Sequence, residues 1–142
     1  MFNSEIVADR IRSVTDSVMD LIEREGAANR DYDTAHLLLG GDTVTGENIF
    51  SHQPHEIDLT LDQQIDLACE LYMEQIKRLA ARFPSVQVVC QAGNHGELRA
   101  DGMSENANAD KLVWRDCIQY NEKAHSESAP VSSVSIVKNK YN

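Results

Sequence analysis

Two short, largely apolar runs, Ala35-His36-Leu37-Leu38-Leu39 and Val86-Gln87-Val88-Val89-Cys90, flank one long amphipathic segment, and each is followed at once by a glycine-led polar motif. Runs of that length suit buried strands, and the valines of the second favour a strand over a helix. Between them, Leu61, Ile65, Ala68, Tyr72, Ile76 and Leu79 fall on one helical face. Thr60 and Gln63 form a capping-box pattern in front of that helix, and Pro84 stops it just past Phe83. A strand, a helix and a strand in this order cross over right-handed with the strands parallel. Both carboxyl ends then lie on one edge of the sheet, where the ligand sites of open α/β sheets gather.

The rest of the chain extends this α/β reading. Val7, Ile11, Val14, Val18, Leu21 and Ile22 recur at three- and four-residue steps, which predicts a leading helix capped by Asn3 or Ser4 and ended by Gly26. Ala27 to Asp33 reads as a polar linker, and Asp42 to Leu59 as a long loop of the kind that often carries function. A third helix is expected from about Ala109 to about Lys123, with Leu112, Val113, Cys117 and Tyr120 on its apolar side. This gives a domain over 1–124 and a polar, serine-containing tail over 125–142, in which Val131, Val134, Ile136 and Val137 make an edge strand or the tail stays disordered. With so few strands the sheet leaves edges unpaired, which predicts an exposed apolar edge and self-association or a complementing polypeptide.

Composition narrows the function. A chain of 142 residues, 42% hydrophobic and 25% charged, fits one compact domain. Its net charge of −10 argues against broad electrostatic capture of nucleic acid or anionic lipid, but leaves open a polyanion held through bound cations. No apolar run approaches the roughly 20 residues that span a bilayer. The start, Met1-Phe2-Asn3-Ser4-Glu5, does not read as a secretory signal, so cytoplasmic residence is the expectation. Cys69, Cys90 and Cys117 are odd in number and widely spaced, which suits buried thiols rather than a zinc or redox motif.

The chemistry sits in the two motifs, Gly41-Asp42 and Gly93-Asn94-His95. Glycine at each strand end lets the backbone turn sharply, so Asp42, Asn94 and His95 are expected in one crevice. A carboxylate can bridge two cations, an amide carbonyl can ligate one, and an imidazole can serve as ligand or proton donor. Glu97 either orients the His95 imidazole or is solvated. His52 and His55, three residues apart in the long loop, are open to a metal role or to a solvated, substrate-facing one. His36 lies within a strand and Trp114 on a helix, and both read as structural. Asp62, Asp66, Glu70 and Glu74 follow four-residue steps and read as a wet helix face.

Leu37-Leu38-Leu39-Gly40-Gly41-Asp42 and Val88-Val89-Cys90-Gln91-Ala92-Gly93-Asn94-His95-Gly96-Glu97 resemble the central motifs of the calcineurin-like metallophosphoesterases, nearest in feel to the phage and bacterial branch related to DNA-repair exonucleases. The similarity runs from about Asn3 to about Trp114. It implies part of that family's α/β sandwich around a parallel strand-helix-strand core. It also implies two divalent metal ions (Mn, Fe or Zn), with Asp42 bridging them, Asn94 ligating one and His95 assisting the leaving group. The implied substrate is a phosphate ester, a phosphomonoester or a phosphodiester such as a nucleic-acid end, with no role at a membrane. Such sites hold two ions about 3.5–4 Å apart to clamp the attacking and leaving oxygens.

The family pattern further contains an Asp-x-His motif before the leading helix, then a later His and a Gly-His-x-His motif; neither motif occurs in this sequence, and the only histidine after His95 is His125, in a polar context. The resemblance therefore implies an incomplete or split enzyme whose remaining ligands come from a complementing polypeptide or a second copy. Two other readings stand beside it: a non-catalytic remnant acting as a binding module, and an unrelated soluble α/β domain.

Overall fold

The computed structural model describes residues 3–26, 32–47, 49, 52–98, 104, 107–127 and 133–138. It is an α/β structure in the order α1 (Ser4–Gly26), β1 (Thr34–Leu39), α2 (Leu61–Ala80), β2 (Ser85–Cys90), α3 (Ala109–Glu127) and β3 (Ser133–Lys138), with a short 3-10 turn over Gln53–His55. The three strands form one parallel sheet in the order β1-β2-β3. Two crossovers of one hand that move in the same direction across a sheet place both of their helices on the same face. The core shows that arrangement: Leu39, Val86, Val88 and Cys90 pack with Ala68, Met73 and Ile76 of α2 and with Val113, Trp114 and Cys117 of α3.

Register fixes which side chains reach that core. Ala35 pairs with Val86, Leu37 with Val88 and Leu39 with Cys90, so the two strands send the same parity inward. The opposite parity, with His36, Leu38, Gln87 and Ser135, is open to solvent, and Leu38 is 72% exposed. The apolar exposure seen on a strand, at Leu38, thus lies on a face of the sheet rather than along the expected edge. His36 sits on this open face, not in the core.

The tail resolves in favour of a strand. Ser133–Lys138 adds to β2 in parallel register, and α3 continues through Glu127, past the boundary expected at residue 124. Val131 and most of the 27–33 linker lie outside the described residues. At the start of α2, the Gln63 side chain accepts the Thr60 N–H at 3.0 Å, as the capping-box pattern implies, while the Thr60 hydroxyl is directed to the Asp62 carboxylate.

Helix α1 lies against α2 and is held largely by polar contacts. Asn3 caps it by accepting the Ile6 N–H at 3.0 Å, and both the Ser4 N–H and the Ser4 hydroxyl donate to Asp58. Arg12 pairs with Glu74 at 3.0 Å and Glu70 at 3.5 Å, and Arg78 pairs with Asp16 at 2.6 Å. Glu70 and Glu74 are therefore not simply a wet face, because α1 crosses that flank of α2. Only the first half of the α1 stripe is covered, since Val14, Val18 and Leu21 are all exposed. Among the described residues, no helix is long and apolar enough to cross a membrane.

The face assignment makes a direct prediction. Ile76 is 2% exposed, so Ile76→Ala is expected to cost about 2–5 kcal/mol in urea unfolding. Leu38→Ala on the open face should change stability by less than about 0.5 kcal/mol. Similar costs for the two would contradict the packing described.

Candidate functional site

The two motifs leave β1 and β2 at the same edge, because the strands are parallel and in register to their ends at Leu39 and Cys90. The pairing carries one step further, with the Gln91 N–H donating to the Leu39 carbonyl at 2.9 Å. Beyond it the chains separate into Gly41-Asp42-Thr43 and Gly93-Asn94-His95, which touch backbone to backbone. A Cβ on Gly41 would run into Gly93 N and the Gln91 carbonyl, and a Cβ on Gly93 would run into the Asp42 carboxylate and N–H. Gly41 also needs its freedom of φ, at +88°, and Asp42 follows in the left-handed region at +52°. Gly93 is required for a different reason from the sharp turn its sequence suggests: it leaves room for the other loop.

The feature that sequence reasoning missed is Asp110. Its side chain has no solvent exposure, and it receives backbone donors from both motif loops. Oδ2 accepts from Gly93 N–H at 2.8 Å and Asp42 N–H at 3.2 Å, while Oδ1 accepts from Thr43 N–H at 3.0 Å. Asp110 stands in the first turn of α3, where the helix dipole favours a negative charge. Asn108 prepares this turn: its Oδ1 accepts the Asp110 N–H at 2.9 Å and its Nδ2 donates to the Gly93 carbonyl at 2.8 Å. The Ala109 N–H donates to the Gly96 carbonyl at 2.6 Å, and a Cβ on Gly96 would press into Asn108 Oδ1 at 2.5 Å. The Asn108-Ala109-Asp110 sequence, an N-cap residue followed by an acid in the first turn, is the signal that could have revealed it.

Within this frame the two motif loops meet, but the small crevice beside them is lined by His95 and not by Asp42 or Asn94. The Asp42 Oδ1 accepts the His95 N–H at 2.9 Å, Asp42 and Asn94 are exposed, and His95 is half-buried. His95 and Glu97 line a small crevice of about 50 Å³ together with Glu47 and Gly46. His52 and His55 are exposed at the 3-10 turn and do not line it; His52 is left-handed at φ 68°. Their loop is anchored by Gln53, which accepts the Ile49 N–H at 2.7 Å and donates to the Thr45 carbonyl at 2.8 Å.

Thr43 connects the site to a larger cavity of about 300 Å³ between α1, α2 and residues 56–59, lined by Val7, Ile11, Ile57, Leu67, Leu71 and Tyr72 among others. The Thr43 and Tyr72 hydroxyls lie 3.0 Å apart. Burial pushes the Tyr72 phenol above its ordinary range, against the opposing effect of that hydrogen bond, so it remains a neutral hydroxyl.

The donors present fall short of a two-metal cluster. Asp42 and Asn94 offer one carboxylate and one amide, and the Asp110 carboxylate is buried and occupied by N–H groups. Among the described residues, no three His, Cys, Asp or Glu side chains converge as a metal site. No protein-family model, curated protein or solved structure matches this chain.

Removing the buried carboxylate strands three N–H groups. Asp110→Ala is therefore expected to cost about 3 kcal/mol or more, and Gly93→Ala more than about 1 kcal/mol, in denaturant unfolding. Asp42→Ala, at an exposed position, should cost no more than about 1 kcal/mol. A stability ranking with Asp42 above Asp110 would contradict this arrangement.

Proposed function

We propose that the carboxyl edge of β1 and β2, where the two motif loops meet, is part of a metal-dependent phosphoesterase site, incomplete in these residues and completed by donors from another polypeptide or a second copy. The observation that carries the reading is the contact between the two motif loops, in which the His95 backbone N–H donates to the Asp42 carboxylate at 2.9 Å. An acid, an amide and an imidazole on neighbouring strand ends form the donor set that the motif resemblance implies. A divalent ion bound there would supply Lewis-acid stabilisation of a phosphoryl oxygen. The part that belongs to this chain is narrower: Asp42 and Asn94 are exposed and would offer oxygens to the ion, and the half-buried His95 would donate a proton to the leaving oxygen. The substrate is a phosphomonoester or phosphodiester, with a nucleic-acid end among the candidates.

A non-catalytic binding module is the second reading, favoured by the small number of metal donors. The two separate in a Mn²⁺-supplemented assay on a chromogenic phosphodiester. The phosphoesterase reading predicts slow hydrolysis above background, lost in Asp42→Ala and lowered at least about tenfold in His95→Ala. Equal rates for the parent chain and both variants would remove catalysis by this chain alone or by its self-assembly.

A further inference from the structure

Cys69 and Cys117 are 48 residues apart in sequence, yet their sulfurs lie 3.5 Å apart across the α2–α3 interface. Both are free thiols: Cys69 is half-buried, whereas Cys117 is 3% exposed. The widely spaced cysteines thus hide a pair that only the packing of the two helices creates. A disulfide has its sulfurs about 2.05 Å apart, so closure needs an approach of about 1.5 Å.

We propose that Cys69 and Cys117 are a modification site, forming a reversible disulfide when the protein meets a hydroperoxide. The roles of the two sulfurs are unequal. The hydrogen bond from Cys117 draws the Cys69 thiol below its ordinary range despite partial burial, while that bond and burial push the Cys117 thiol far up. Cys69, the more exposed of the two, is the sulfur a hydroperoxide meets first, which makes it the attacking thiolate and Cys117 the resolving thiol. In the first step the Cys69 sulfur takes one peroxide oxygen, the O–O bond breaks, and Cys69 sulfenic acid and hydroxide form. In the second, the Cys117 sulfur attacks the Cys69 sulfur, the S–O bond breaks, and the displaced hydroxyl leaves as water. The hydroxide from the first step becomes water with the Cys117 proton and the proton released when Cys69 ionised supplies the other. Overall, two thiols and one hydrogen peroxide give one disulfide and two waters. Cys90, 1% exposed on β2, is the internal control.

This inference is independent of the phosphoesterase reading, and its test does not involve activity. The full chain is treated with hydrogen peroxide, alkylated and digested without reduction. A cross-linked peptide pair containing Cys69 and Cys117 is expected, lighter than the two thiol peptides by two hydrogens and released by dithiothreitol. The unfolding midpoint should rise by roughly 10 °C on oxidation. Cys90→Ser should keep the link. Cys69→Ser, at the half-exposed position, should abolish it and leave the midpoint unmoved by oxidant. Oxidation that stops at Cys69 sulfinic acid with Cys117 still a thiol, or that links Cys69 only between molecules, would overturn the proposal.

Discussion

The Asp110 carboxylate accepts N–H groups from two loops that leave different strands, and it does so with no exposure to water. A buried charge is tolerable only when its oxygens are well supplied with donors. Here the donors are the backbone of the motif loops themselves, so the charge and the loop geometry sustain one another. Removing the carboxylate would orphan N–H groups in the interior, and displacing either loop would leave a buried charge short of donors. The position of α3 therefore sets the position of the motif edge, through Asn108 and Asp110 in its first turn.

The glycines belong to the same constraint. Gly41 and Gly93 approach so closely that neither tolerates a Cβ, and Gly96 packs in the same way against the start of α3. Beside these contacts Asp42 and Asn94 are exposed and His95 is half-buried. Rigid support beneath a few exposed polar groups is what a binding or catalytic crevice requires, and it is the physical basis for reading function into this edge. The two cavities flank it, a small one beside His95 and Glu97 and a larger apolar one reached through Thr43 and Tyr72.

Local pattern made β1, β2, α2 and the shared edge legible, because strand-helix-strand units obey strict rules of hand and direction. Ala109 as the start of α3 was also readable, from the return of apolar spacing. The later half of the α1 stripe misled, since periodicity says which residues share a face but not whether anything covers it; Val14, Val18 and Leu21 remain exposed. The same limit applied to Glu70 and Glu74, whose partner Arg12 lies on another helix. Asp110 and the Cys69–Cys117 pair escaped because each acquires its meaning from contacts distant in sequence. A carboxylate early in a helix looks like an ordinary first-turn acid until the loops it holds are known.

The motif edge, on this account, is one unit fastened by one carboxylate, and amide hydrogen exchange tests that most directly. The N–H groups of Asp42, Thr43 and Gly93 lie outside the strands, yet they should exchange slowly, with protection close to that of the central strand β2, and all three should lose it together in Asp110→Asn. Fast, loop-like exchange of these amides in the parent chain, or loss of protection in one loop alone, would contradict the account.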